Sequence, residues 1–219
     1  MLEVDAVNLL AQRRFFQTMK LYYFPVAPNP TKVLVYLREK GIEIELQQVS
    51  LGEGEQNESE HLARNPRGAL PVLELDDGSF VTESLPIIEY LEECYPEPVM
   101  IGETPEQRVR TREMERLADL RVLLPIGRTV HATNSPLGKP PNPAVAENEQ
   151  ATLQVGFKTF SEQLADREFV MGGRVTTADC TLFAGLYFGE FFGVNVPEEF
   201  AALRDWYERF KQRPSAQLM

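Results

Sequence analysis

Apolar residues follow two different periods along the first half of the chain, and these periods predict alternating strands and helices. Runs with strand character occupy 20–24, 42–49, and the segments on either side of the hairpin dipeptide Asp77-Gly78. Apolar positions spaced three or four residues apart predict helices at 31–40 and 85–94, with a short helical turn at 61–64. The stretch 25–30 contains three prolines and predicts a loop, because proline cannot continue a regular hydrogen-bond ladder.

The second half of the chain has only helical periodicity. Its pattern predicts helices at 106–129, 144–164, 176–192 and 198–212. Pro125 falls inside the first of these and predicts a kink there. The segment 97–103 follows Pro96 and contains Pro98 and Gly102, and it predicts a linker between a domain at 19–96 and a helical domain at 104–219. Residues 1–18 precede this pattern and predict an N-terminal extension with a short amphipathic helix.

Composition narrows the classes of function. The chain has 219 residues, a net charge of −11 and a pI near 4.8, which argues against nucleic acid or an anionic membrane surface as a partner. No apolar run approaches the roughly 20 residues needed to cross a bilayer. The two cysteines, Cys94 and Cys180, are far apart, which fits a reducing cytoplasmic location and excludes a cysteine metal site or a dithiol motif.

One stretch combines several turn and helix signals. It reads N-P-R-G-A-L-P-V-L-E-L at 65–75 and G-S-F-V-T-E-S at 78–84. Pro71 opens a strand, where it removes no interior ladder bond, and a bond before such a proline can be cis. Ser84 can cap the helix that follows, and the free N–H groups of that helix start could bind an anion. On local pattern alone, an ordinary hairpin followed by a helix explains the stretch equally well.

The order of the parts resembles the glutathione transferases, in particular the bacterial cytosolic enzymes, over about 19–214. The resemblance implies an α/β plus all-α fold, with an N-terminal thioredoxin-like domain followed by an all-helical C-terminal domain. It also implies glutathione as co-substrate and a homodimer. In that family, backbone at the position of Leu70 and Pro71 pairs with the cysteinyl part of glutathione. The positions of Glu83 and Ser84 hold its γ-glutamyl end.

The residue that activates the glutathione sulfur is harder to assign. The loop F-P-V-A-P-N-P-T-K at 24–32 has no serine or cysteine, so it departs from the serine and cysteine classes of the family. Asn29 matches the asparagine of the Nu-class loop, while Ala27 replaces its threonine. An asparagine amide can donate to a thiolate, although asparagine is also a common turn or N-cap residue. Thr31 is the second candidate and Tyr23 the third.

Two further positions follow from the same resemblance. Gln56 stands where the family places a contact to the glycine end of glutathione, although a solvated loop amide explains it equally simply. Ala69 stands where the family often has a longer polar side chain. That contact is missing here unless Arg67 or Lys32 replaces it.

The second domain carries G-G-R-V-T-T-A-D at 172–179, directly before its most apolar helix. Thr176 and Asp179 have the spacing of a capping box, which we interpret as a folding element. Cys180 lies in the apolar run and is interpreted as a buried small hydrophobe.

Three functions are compatible with these features. The first is a glutathione transferase acting on a small electrophile. The second is a glutathione-dependent disulfide-bond reductase, in which a small disulfide is the partner. The third is a non-catalytic interaction module with the same fold. No metal is expected in any of them.

Overall fold

The computed structural model describes residues 19–218. The extension predicted at 1–18, with its amphipathic helix, lies outside the described residues.

The first part of the chain forms a four-stranded sheet with helices on its faces. Its elements are β1 (Lys20–Tyr23), α1 (Pro28–Lys40), β2 (Glu45–Gln48), a 3₁₀ turn (Glu55–Asn57), α2 (Ser59–Arg64), β3 (Val72–Glu74), β4 (Phe80–Thr82) and α3 (Ser84–Cys94). The strand order is β2-β1-β3-β4. β1 is parallel to β2, while β3 is antiparallel to both β1 and β4. This β-α-β-α-β-β-α order confirms the predicted fold of the first domain.

Helix α1 begins earlier than predicted, because the proline-rich stretch is not all loop. Pro28 is the first helical residue and Pro30 the third, after the N-cap residue Ala27. A proline costs little there, since the N–H groups of the first turn have no partner within the helix. The first backbone bond of the helix runs from the Thr31 N–H to the Ala27 carbonyl at 3.0 Å.

Strand β2 is shorter than the predicted 42–49. It spans Glu45–Gln48 and lies at the edge of the sheet, where all four residues are exposed. Ile42 and Val49 are buried beyond its two ends, at 7% and 5% exposure. The apolar residues that suggested a longer strand therefore pack outside the ladder.

The second part of the chain is helical, as predicted. Its elements are α4 (Pro105–Ala118), a π-helical turn (Asp119–Leu123), α5 (Leu124–Thr133), α6 (Pro143–Gln163), α7 (Thr177–Phe191), α8 (Ala201–Lys211) and a 3₁₀ turn (Pro214–Ala216). Among the described residues, no helix is long and apolar enough to cross a membrane.

The single helix predicted at 106–129 is interrupted before Pro125. The α-helical geometry gives way to the π-turn Asp119–Leu123, and Pro125 is then the second residue of α5. A π-turn is one way to absorb a missing N–H and a proline ring within a continuous helical path. Two glycines let neighbouring helices approach this turn: a Cβ on Gly156 would lie 2.3 Å from the Arg121 carbonyl oxygen, and one on Gly185 would lie 2.8 Å from Leu123 Cα.

Helix α7 is the centre of the molecule. Most of its residues are buried, and it packs against α1 as well as α4 and α5, so one hydrophobic core runs through both domains. The predicted capping box of Thr176 and Asp179 is confirmed. Asp179 also accepts from the Val170 N–H at 2.8 Å and the Thr176 N–H at 2.9 Å. Cys180 is fully buried, and burial raises the pKa of its thiol well above the usual value.

Helix α1 is tied to the helical domain at both ends. Near its start, the Lys32 ammonium lies 3.3 Å from Glu115 Oε1, which also accepts from the Thr181 hydroxyl at 2.9 Å. Near its end, Glu39 pairs with Arg213 through contacts of 2.7 and 2.9 Å. These ties fix the position of the α1 N-terminus, from which the site described next is built.

Candidate functional site

Two helix N-termini meet at one point of the first domain. Asn29 is the second residue of α1 and Ser84 is the first residue of α3. The Ser84 hydroxyl donates to Asn29 Oδ1 at 3.0 Å, and Ser84 is only 5% exposed. This contact joins two residues that are 55 positions apart in the sequence.

Neither helix start is closed by one of its own side chains. The N-cap residue of α1 is Ala27, and the N-cap residue of α3 is Glu83, whose side chain makes no capping bond. The prediction that Ser84 caps α3 is therefore wrong by one position. Its hydroxyl points to Asn29 instead of to an N–H of its own helix. Because Pro28, Pro30 and Pro86 have no N–H, the first-turn donors outside the helical hydrogen bonds are the N–H groups of Asn29, Ser84 and Leu85. These donors and the dipoles of the two helices favour an anion at this place.

Glu83 has an unusual backbone conformation. Its φ is +75° and its ψ is 128°, a region that residues with a side chain rarely adopt. Such a conformation costs on the order of 1–3 kcal/mol and is concentrated at functional sites. Its carboxylate is exposed and lies 2.9 Å from Arg67 Nη2. Val26, just before α1, also has a positive φ, of +68°.

The Leu70–Pro71 segment forms the third side of the site. The peptide bond between these residues is cis, and Pro71 is buried directly before β3. In the sheet, Val72 pairs with Tyr22 of β1 and with Thr82 of β4. Because both pairings are antiparallel, Leu70 and Pro71 lie at the same end of the sheet as the end of β1 and Glu83.

A tight turn precedes this segment and is organised by Asn65. Its buried side chain donates from Nδ2 to the Ala69 carbonyl at 2.9 Å, and its Oδ1 accepts from the Arg67 N–H at 3.2 Å. The ring of His61 contacts the same Ala69 carbonyl at 3.2 Å. Sequence reasoning missed both Asn65 and His61. An asparagine that starts a turn before a proline is the signal that could have indicated the first.

Gly68 brings the 3₁₀ turn that contains Gln56 against this segment. It has a φ of +60°, and a Cβ there would lie 2.9 Å from the Gln56 carbonyl oxygen. Any side chain at this position would therefore push the two loops apart. Gln56 itself is half-buried, and among the described residues its buried Oε1 has no hydrogen-bond partner.

Comparison with known proteins decides the family. The model for the glutathione S-transferase N-terminal domain matches 21–99, and that for the C-terminal domain matches 125–214. Glutathione S-transferase 2 of Saccharomyces cerevisiae is 35% identical over 91% of this chain and 88% of its own length. The chain belongs to the glutathione S-transferase family.

Other relatives agree with this result. The crystal structure of Gtt2 from Saccharomyces cerevisiae superimposes with a TM-score of 0.83 at 33% identity, covering 90% of this chain and 98% of that one. Maleylacetoacetate isomerase of Pseudomonas aeruginosa is 29% identical over 80% of this chain and 84% of its own length. The protein is thus an enzyme of the glutathione transferase family, with glutathione as its co-substrate. The similarity to a yeast protein shows that the resemblance is not confined to bacterial enzymes.

The remaining predicted residues of this transferase occupy different surroundings. Thr31 is fully buried, and among the described residues its hydroxyl has no hydrogen-bond partner. Tyr23 is half-buried and packs against the main core. Ala69 is exposed, with its carbonyl held by Asn65.

Lys32 and Arg67 are the two cations that could replace the longer side chain missing at Ala69, and their surroundings differ. Lys32 is 1% exposed, and its ammonium is engaged by Glu115 and Asp119. Arg67 is instead exposed and lies beside Glu83. Of the two, Arg67 is the one placed next to the predicted γ-glutamyl position.

Proposed function

We propose that the enzyme adds the thiolate of glutathione to a small electrophile. The observation that carries this proposal is the Ser84–Asn29 contact, which joins the uncapped starts of α1 and α3. Glutathione is anionic, whereas the protein carries a net charge of −11, so its site must be locally positive. Two converging helix N-termini supply such a local field.

The γ-glutamyl end is assigned to Glu83 and Ser84. The Glu83 carboxylate is exposed and can accept from the ammonium group, while the α3 start favours the α-carboxylate. The backbone of Leu70, held next to the cis Pro71, is assigned to the cysteinyl part, and Gln56 to the glycine end. Gln56 is held beside this segment because its carbonyl oxygen lies against Gly68, and its Nε2 can donate to the glycine carboxylate.

Activation of the sulfur is assigned to Asn29. Because its Oδ1 already accepts from Ser84, the two N–H bonds of Nδ2 are its means of contacting a ligand. Among residues 19–218, Nδ2 donates no hydrogen bond to a protein acceptor. Thr31 is fully buried and Tyr23 is packed against the core, so both remain weaker candidates.

Neither protein thiol is assigned a part in the reaction. Cys180 is buried in α7, and Cys94 is the last residue of α3, at the opposite end of that helix from Ser84. Conjugation and disulfide reduction would therefore both depend on the thiol of glutathione itself. This keeps disulfide reduction as the second reaction, with the Nu-like asparagine loop in its favour.

Calorimetry with glutathione and two parallel assays test this proposal. One assay uses an aryl halide, and the other uses a small disulfide with coupled detection of oxidised glutathione. We expect glutathione to bind and the aryl halide to be conjugated. Turnover of the disulfide alone would favour the reductase, and absence of glutathione binding would overturn both reactions.

We also propose that the enzyme is a cytoplasmic homodimer, as is typical of the family. Light scattering at micromolar protein concentration should give twice the mass of the chain, 24.9 kDa. A monomeric mass would contradict this. The same measurement on a variant that lacks residues 1–18 determines whether the extension takes part in assembly.

A further inference from the structure

We propose that Arg67 binds the α-carboxylate of glutathione and, together with Glu83, recognises the zwitterionic amino-acid end of the γ-glutamyl group. This inference rests on the proposed function. It makes Arg67 a specificity-determining residue, which replaces the longer polar side chain that the family often has at the position of Ala69.

The guanidinium of Arg67 is only partly used in the protein itself. Its Nη2 donates to Thr82 Oγ1 at 2.9 Å and lies 2.9 Å from Glu83 Oε1 in an ion pair. Within residues 19–218, neither Nε nor Nη1 donates a hydrogen bond to a protein acceptor. Each of these two nitrogens therefore keeps a free N–H group, which can donate to an oxygen of a carboxylate.

The backbone beneath Arg67 is fixed although its side chain is 59% exposed. Its N–H donates to the Oδ1 of Asn65, which is itself only 2% exposed. The next residue, Gly68, is held against the Gln56 carbonyl. The side chain thus extends from a well-defined turn toward Glu83, which reduces the conformational entropy lost when it binds a ligand.

The pair has the charge pattern that a zwitterion requires. Glu83 can accept from the ammonium group through Oε2 while Oε1 remains on Arg67. Arg67 can then donate to the α-carboxylate through Nε or Nη1. The four groups form a ring of alternating charges, in which each ion contacts two of the opposite sign. The α3 N-terminus at Ser84 favours the same carboxylate.

Calorimetric titrations with three thiols test this assignment. They are glutathione, 4-aminobutyryl-cysteinylglycine, which lacks the α-carboxylate, and glutaryl-cysteinylglycine, which lacks the α-ammonium. We expect Arg67→Ala to weaken glutathione binding about tenfold, as for the loss of a charge-assisted hydrogen bond. The same variant should change the affinity for 4-aminobutyryl-cysteinylglycine less than about twofold, because that thiol has no α-carboxylate to lose.

The chain offers a matched control in Arg174. Its Nη1 lies 2.9 Å from Glu103 Oε1, in a similarly exposed ion pair outside the proposed site. Arg174→Ala should leave all three affinities unchanged. An equal loss for glutathione and 4-aminobutyryl-cysteinylglycine in Arg67→Ala, or no loss for either, would overturn the role of Arg67 while leaving the glutathione site intact. Failure of the unaltered enzyme to bind glutathione would overturn the proposed function and this inference together.

Discussion

Two helices of the first domain begin with the same dipeptide, Glu-Ser, but their surroundings differ completely. Glu58 precedes α2 with an ordinary extended backbone, φ −72° and ψ 151°, and the following Ser59 is exposed. Glu83 precedes α3 with φ +75°, and Ser84 is buried against Asn29. The dipeptide alone therefore does not define a binding site.

The difference comes from the elements that precede each helix. Glu58 follows a 3₁₀ turn at the surface, whereas Glu83 follows strand β4 and is locked into the sheet register. The end of β4 brings Ser84 to the start of α1, where its hydroxyl donates to Asn29. We infer that the sheet imposes the strained conformation at Glu83, since the same residue pair relaxes where no strand precedes it.

The largest expected effect is on glutathione affinity. Replacing both Glu83 and Ser84 by alanine should weaken binding more than about a hundredfold, which corresponds to about 3 kcal/mol or more, because two charge-assisted contacts are lost. Calorimetry measures the affinity, and circular dichroism verifies that the fold is retained. The matched variant, with Glu58 and Ser59 both replaced by alanine, should bind glutathione normally. Equal affinities in the two double variants would contradict the assignment of Glu83 and Ser84.

The start of α7 is a third case, in which the helix start serves folding and not ligand binding. In α7, Asp179 accepts backbone N–H groups from Val170 and Thr176, so this helix start is closed by the protein itself. We expect Asp179→Ala to lower the free energy of unfolding by about 2–3 kcal/mol, since it leaves buried donors unpaired. Chemical denaturation measures this loss, and glutathione affinity of the folded variant should not change. The exposed Asp205→Ala is the control, and a similar loss there would show that the effect is not specific to the closed helix start.

The smallest expected effect is on the free energy of unfolding, and it comes from the backbone conformation of the glutamate that precedes each of the two helices. Glycine tolerates positive φ, so Glu83→Gly should raise the free energy of unfolding by about 1 kcal/mol while weakening glutathione binding. Glu58→Gly should instead lower it by about 0.5–1 kcal/mol, because glycine gains freedom in the unfolded chain. Denaturation curves of both variants decide this. If Glu83→Gly is destabilising, the positive φ does not store strain.

Much of the fold could be predicted because periodicity and turn residues agree over long segments. The order of strands and helices and the capping box of α7 follow from local patterns. Local pattern allowed the cis Leu70–Pro71 peptide, which the resemblance to the family implies. The early start of α1 could not be predicted as easily, because the prolines that exclude a regular interior helix are tolerated in a first turn.

The parts of the site that escaped prediction depend on contacts between distant segments. The Ser84–Asn29 bond and the Arg67–Glu83 pair arise only after the sheet register is set. Likewise, Lys32 has the sequence context of a surface cation, yet it is buried by Glu115 of the second domain. Local pattern carries no information about such partners.

The central claim is that the uncapped helix starts activate glutathione through Asn29, and its most direct test is the ultraviolet titration of the bound thiol. In the unaltered enzyme, the pKa of bound glutathione should lie below that of the free thiol. Asn29→Ala should raise it and reduce turnover about tenfold or more, with little change in affinity, as expected for loss of one hydrogen bond to a charged group worth about 1.5–3 kcal/mol. Thr31→Val and Tyr23→Phe are the controls. If Tyr23→Phe gives the large loss and Asn29→Ala gives none, the account is contradicted and the enzyme belongs with the tyrosine type.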